Sequence, residues 1–456
     1  MPLILGSNSV SGYTVKNSLR FNSGSSDYLS RTYGTPTNNL KYTKSFWIKR
    51  SGLSSIAKGF VFSSSTNSNT DYFYFSDSDT IVLGNAITPA TTAVFRDVSA
   101  WYHCVMVFDS ANATASNRLI LYINNVQQTL STTITQNSTG GNESGVNYYI
   151  GYQSVLSRYL DAYMSEIYMI DGQALTPSSF GQTDTDTGIW IPKAYTGTYG
   201  TNGFYLKFAD SSALGTDSSG NGNTFTVNNL TSIDQTTDTP TNNFCTMNPL
   251  DNYYFGGTFS EGNLKVVSGS SAFTYCSSNF AVSQGKWYIE AKYDATSTAN
   301  YSRFGIGHKV STSTSDNLGD ETGEAIYRPD GAIKVNNVET TSWGSTWTTG
   351  DIIGIALDLD NNKLYFSKNG TFQASGNPAT NTNGISITAP SSLSTGVYFF
   401  GFSDNDGSGT STWLYNFGNP PYSANSYTDG AGYGNFSYAV PSGYYSLCTK
   451  NLATFG

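Results

Sequence analysis

The run from Asp351 to Phe366 restricts the fold more than any other part of the chain. Ile353, Ile355, Leu357 and Leu359 fall at every second position, so an extended backbone places all four on one face. Asp360-Asn361-Asn362 supplies turn residues, Leu364 and Phe366 repeat the alternation on the return, and Asn369-Gly370 marks the next turn. A helix, with its period of about 3.6 residues, would scatter these side chains around its axis. The run is therefore expected to be an antiparallel hairpin with one face in a core.

Runs of the same kind recur along the chain. Leu19-Arg20-Phe21, Ser45 to Arg50, Phe60-Val61-Phe62, Tyr72 to Phe75 and Ile81-Val82-Leu83 are each bounded by Ser, Asn, Asp or Gly clusters. In the run Trp101 to Phe108, Tyr102, Cys104, Met106 and Phe108 share one face, and Trp101, His103, Val105 and Val107 the other. Both faces are largely apolar, as in a central strand covered on both sides. The 33 Tyr, 26 Phe and 7 Trp suit pleated surfaces, and with only 12% charged residues amphipathic helices would lack a wet face. At 456 residues the chain exceeds one sandwich, so the expected fold class is all-β, with two antiparallel β-sandwich modules or three.

Particular motifs sharpen this. Phe46-Trp47-Ile48-Lys49, then Trp101-Tyr102-His103 leading into Leu119 to Asn125, and Glu166-Ile167-Tyr168 with Ala174-Leu175-Thr176 resemble the laminin-G/concanavalin A-like family over residues 18–190. Gly285 to Glu290, Phe304-Gly305-Ile306-Gly307, Gly350 to Gly354, Leu357-Asp358 with Lys363 to Gly370, and Leu414 to Gly418 resemble a SPRY domain over 245–420, in family order. The resemblance implies concanavalin A-like sandwiches, and loops at one end of the SPRY module that bind protein partners. Residues 1–17 read as an extended N-terminal segment, 191–244 as a connecting strand and linker, and 421–456 as a C-terminal extension packing on a sandwich. Within the linker, Gly203 to Phe208 and Asp217 to Asn223 look like the opening of another laminin-G unit that is never completed; a strand crossing to a neighbouring module is favoured over a truncated third domain. The start Leu3 to Val10 and the ending Ala439 to Thr449, in this combination, resemble proteins of tailed bacteriophages and imply a virion component.

Little in the chain suits catalysis. His103 and His308 both lie inside strand patterns without a local triad. Glu166 and Glu290 are the candidates for a glycosidase pair, but no second acid stands at a defined separation from either. No enzyme is expected, and a glycan depolymerase ranks last among the alternatives. Cys104, Cys245, Cys276 and Cys448 lie far apart with no CxxC pair and read as buried thiols. No cofactor is expected beyond a candidate Ca²⁺ turn at Asp404-Asn405-Asp406-Gly407, with Asp404 and Asp406 as ligands.

The case for binding rests on aromatics in polar loops: Tyr195 and Tyr199 in a Thr/Gly stretch, and Trp343 and Trp347 in Ser-Trp-Gly-Ser-Thr-Trp. The net charge of −9 argues against nucleic acid and anionic membranes, and no run is long enough to insert in a bilayer. The apolar start lacks a basic n-region, so no signal peptide is expected. Taken with the phage resemblance, the expectation is a virion-surface protein assembled in the host cytoplasm. It would serve in host recognition by a tail or fibre, binding cell-surface glycan or protein as a homo-oligomer such as a trimer. The alternative is a capsid-decorating, cement or tail-assembly protein that binds other virion proteins.

Overall fold

The computed structural model describes residues 12–65, 72–84, 88–251, 256–269, 273–296, 302–310, 312–313, 316–404 and 409–456. They form two compact units divided between Thr241 and Asn242, each with two main antiparallel sheets.

In the first unit one sheet runs, edge to edge, Val126–Gln127, Leu119–Ile123, Tyr102–Asp109, Lys41–Arg50, Ala162–Asp171, Ser18–Phe21 and Gln235–Thr236, and Phe204–Leu206 also pairs with Ala162–Asp171. The other runs Thr226–Asn228, Tyr28–Thr32, Asn147–Ile150, Phe60–Ser64, Phe73–Phe75, Thr80–Leu83 and Ala90–Val94. Period-two alternation decides what enters the space between them. From Lys41–Arg50 it sends in Tyr42, Phe46 and Ile48, and from Tyr102–Asp109 Cys104, Met106 and Phe108, against Phe62, Phe73, Phe75 and Ile150. Lys44 shares this inward direction, its ammonium 4.6 Å from the Tyr148 ring centre. Val105 and Val107 turn the other way and are covered by Tyr168, Ile170 and Phe180, so this strand is buried on both faces.

The stretch 191–244, expected to be a connecting strand and linker, instead supplies three strands to this same unit up to Thr241. Phe204, Leu206, Phe208, Leu214 and Phe225 belong to its core, which explains why the stretch folds back here.

In the second unit one sheet runs Thr258–Ser260, Lys265–Val267, Ser411–Asn416, Lys286–Thr296, Ile352–Asp358, Lys363–Lys368 and Thr371–Phe372, with Ile385–Ser386 also paired to Lys363–Lys368. The other runs Thr274–Val282, Tyr398–Asp404, Ser302–Gly307, Ala325–Tyr327, Ile333–Val335 and Val338–Thr340. The Asp351 to Phe366 hairpin forms as its alternation requires, with Ile353, Ile355, Leu357, Leu359, Leu364 and Phe366 all in the core. The glycines of Phe304-Gly305-Ile306-Gly307 mark close approach: a Cβ on Gly305 would lie 1.9 Å from the Ala325 carbonyl oxygen, and one on Gly307 2.8 Å from Leu318 Cδ1. The C-terminal extension packs Phe436 and Tyr444 against Tyr288, Ala356 and Tyr365 of its own unit, and all four cysteines are buried free thiols.

Candidate binding surface

The candidate acids are held inside hydrogen-bond networks. A bulge in Ala162–Asp171 between Ser165 and Tyr168 puts Glu166 in the left-handed region, at φ +50°. Its carboxylate accepts hydroxyls from Tyr168 at 2.6 Å, Tyr205 at 2.7 Å and Tyr13 at 3.0 Å. Glu290 accepts the backbone N–H groups of Ser437 and Tyr438 at 2.8 and 2.9 Å, the Tyr288 hydroxyl at 3.1 Å and Asn416 Nδ2 at 3.2 Å. Burial pushes both carboxyls above their ordinary range.

His103 meets Ser45, a contact with the chemistry of a nucleophile and base, but both residues are 1% exposed. Trp190 Nε1 donates to His103 Nδ1 at 2.9 Å, so Nε2 carries the proton and donates to Ser45 Oγ at 2.9 Å. The ring stacks on Trp47 at 4.7 Å, and burial draws its pKa down to about 3. His308 is also buried, its backbone carbonyl accepting the Thr395 hydroxyl.

The aromatics singled out in the sequence fall into two pairs, one in each unit. Trp347 is 3% exposed, with ring centres of Tyr293 and Trp413 at 5.1 and 5.3 Å. It plugs the core and has no face for a ligand, which corrects the expectation of a binding tryptophan there. Trp343 is half-buried, edge-on to Tyr327 at 5.6 Å. Tyr195 lies on Phe180 at 5.2 Å with its hydroxyl on the Thr198 carbonyl at 2.9 Å, and Tyr199 meets it edge-on at 5.2 Å. Both tyrosines keep part of their surface in solvent. Asp404 ends a strand, is 1% exposed and accepts the Ser268 hydroxyl at 2.7 Å; Asp406 lies outside the described residues. Among the described residues no group of three His, Cys, Asp or Glu is placed to hold a metal.

A second aromatic group, missed in the sequence, lies on the outer face of the first unit's seven-stranded sheet. Leu29, Tyr148 and Ile150 turn into the core, so their neighbours Tyr28, Ser30 and Tyr149 turn out. Next to them Tyr152 and Tyr159 face each other across the small hairpin Tyr152–Gln153 and Arg158–Tyr159. Tyr152 stacks on Tyr28 at 4.6 Å and on Tyr159 at 4.8 Å, and Tyr149 meets it edge-on at 5.3 Å. All four rings are partly exposed, and none of their hydroxyls has a hydrogen-bond partner among the described residues. Asn228 donates to Ser30 Oγ at 3.1 Å beside them, and both residues are part-exposed. The signal in the sequence was four tyrosines, Tyr148, Tyr149, Tyr152 and Tyr159, crowded at one strand and hairpin.

Comparison with known proteins assigns a domain to each unit. Residues 23–179 match the family model of the concanavalin A-like lectin/glucanases superfamily, of laminin G type, and residues 286–385 match that of the SPRY domain. A search of the curated proteins found no match. Similar solved structures include the SPRY domain of human HERC1, 16% identical with a TM-score of 0.28 over 33% of this chain and 87% of that one. A Bacteroides ovatus protein described as carbohydrate-binding is 17% identical, with a TM-score of 0.36 over 47% of this chain and 59% of that one. A heptameric SAP-like pentraxin from Limulus polyphemus is 16% identical, with a TM-score of 0.26 over 36% of this chain and 80% of that one.

Proposed function

We propose that this chain is a binding protein that holds a cell-surface glycan on the four-tyrosine face of its first unit, and that it works on the particle of a tailed bacteriophage as part of a tail or fibre that recognises the host. The presence of a concanavalin A-like and a SPRY domain supports a binding function. The observation that carries the glycan reading is the set of partly exposed phenols at Tyr28, Tyr149, Tyr152 and Tyr159, whose hydroxyls have no hydrogen-bond partner among the described residues. Aromatic rings cover the apolar faces of sugar rings, and free hydroxyls and amides meet their hydroxyl groups. Placement on a virion rests on the resemblance of the two chain ends to phage proteins. Contacts of this kind are individually weak, and several copies in an oligomer would multiply them.

The test is adsorption. Purified protein should bind host cells and compete with phage for them, and the double variant Tyr149→Ala/Tyr152→Ala should lose both properties while keeping its circular dichroism spectrum. Binding to virions but not to cells would instead support the decorating or assembly role, and absence from purified particles would end the virion reading.

A further inference from the structure

We infer that the four-tyrosine face takes a neutral oligosaccharide, longer than a single sugar, laid across the strands from Asn228 towards Tyr159. This rests on the glycan reading above and adds the charge and extent of the ligand. The charge follows from what the face lacks. Its outward groups on the three strands Thr226–Asn228, Tyr28–Thr32 and Asn147–Ile150 are phenols, hydroxyls and amides, because the charged Arg31 falls at an inward position of the alternation. Arg158, the nearest cation in sequence, points to the opposite side of its hairpin from Tyr159 and sits over the Phe60 ring at 5.7 Å. Burial, then the neighbouring phenols of Tyr152, Tyr159 and Tyr149, push the Tyr28 hydroxyl above its ordinary range. Among the described residues the three strands present no outward cation to a sialylated, uronic or phosphorylated glycan, which would find only the part-exposed Arg158 beside the hairpin and would approach a chain of net charge −9. A neutral sugar needs ring faces and uncharged donors and acceptors, which is what this face offers.

The extent follows from the sheet. Asn228 stands opposite Tyr28, and Ser30 opposite Tyr149, on three adjacent strands. With neighbouring strands about 4.8 Å apart, these positions span roughly 10 Å before the rings of Tyr152 and Tyr159 are added. One pyranose ring cannot touch both ends of that row.

The experiment is titration calorimetry on the full chain with neutral cello-, malto-, manno- and galacto-oligosaccharides from one to six sugars, and with oligogalacturonates and sialyllactose as acidic probes, at low and physiological salt. A neutral series should bind with affinity rising about tenfold or more from the single sugar to the trisaccharide and unchanged by salt. Tyr152→Ala should lower it about fivefold or more, and Ser30→Ala, which keeps the ring cluster, about fivefold. Acidic probes that bind more tightly, lose affinity with salt and respond to the same variants would overturn the inference while leaving the glycan reading intact. So would a single sugar binding as well as the trisaccharide. If neither class binds, the glycan reading falls and this inference with it.

Discussion

Tyr168 and Tyr205 lie face to face, ring centres 4.3 Å apart and planes within 6°, and both hydroxyls end on the carboxylate of Glu166. The stack brings two donors to one buried acceptor, and the bulge at Glu166 turns that acceptor out of the core to receive them. Tyr205→Phe keeps the stack and removes one donor to a charged group. It should cost about 1.5–3 kcal/mol. Glu166→Ala removes the acceptor shared by three phenols, leaving Tyr13 and Tyr205 only each other, and should cost more. Urea unfolding followed through the first unit measures both.

His103 makes the first unit sensitive to acid. Its folded pKa of about 3 lies below the unfolded value near 6.5, so above 6.5 both states are neutral and the unit has its full stability. Below 6.5 the unfolded chain takes up a proton that the folded ring refuses, and stability should fall until about pH 3, by up to about 5 kcal/mol. His103→Gln can still accept from Trp190 and donate to Ser45, and it should flatten this slope in melts taken from pH 7 to pH 4.

Glu324 acts in the opposite direction in the second unit. It is buried, accepts the N–H groups of Gly319 at 2.8 Å and Glu321 at 3.2 Å, and burial raises its pKa from 4.5 to about 7. Stability is then full below 4.5, where both states are protonated, and declines as pH rises through 7, by about 3 kcal/mol at most. Glu324→Gln keeps an acceptor for both N–H groups without the charge. It should raise the Tm of the second unit at pH 8 and leave it nearly unchanged at pH 4.

Trp347 and Trp343 should part company on substitution. Trp347→Ala empties a place among Tyr293, Tyr327 and Trp413 and should destabilise the second unit by about 3–5 kcal/mol. Trp343→Ala removes a half-buried ring and should cost about 1–2 kcal/mol. Chemical denaturation of the two variants separates them.

How much could be read beforehand depended on how local the cause was. The hairpin from Asp351 to Phe366 was legible because its period and its turns lie within one short run. The strand Phe204–Leu206 was seen, but its partner Ala162–Asp171 was not, because pairing across such a distance is decided by the core that Phe204 and Leu206 enter. Tyrosine suits both core and surface, so adjacent Tyr148 and Tyr149 gave no sign that one is buried and the other faces out. The Trp343 and Trp347 loop has the composition of an exposed turn, yet the Tyr327 hydroxyl on the Ser345 carbonyl and Gln373 Oε1 on the Ser345 N–H draw it over the sandwich.

Ser18 pairs with Thr236, so the first unit's opening and closing strands lie side by side at one edge of a sheet. A fold that leaves where it entered behaves as a cassette. It can be lifted out, or inserted into a loop of another protein, with its two joints a few ångströms apart and its sheets undisturbed. The same adjacency makes it a natural candidate for circular permutation, with new ends opened at an exposed turn such as Asn124-Asn125 and the old ones joined by a short linker.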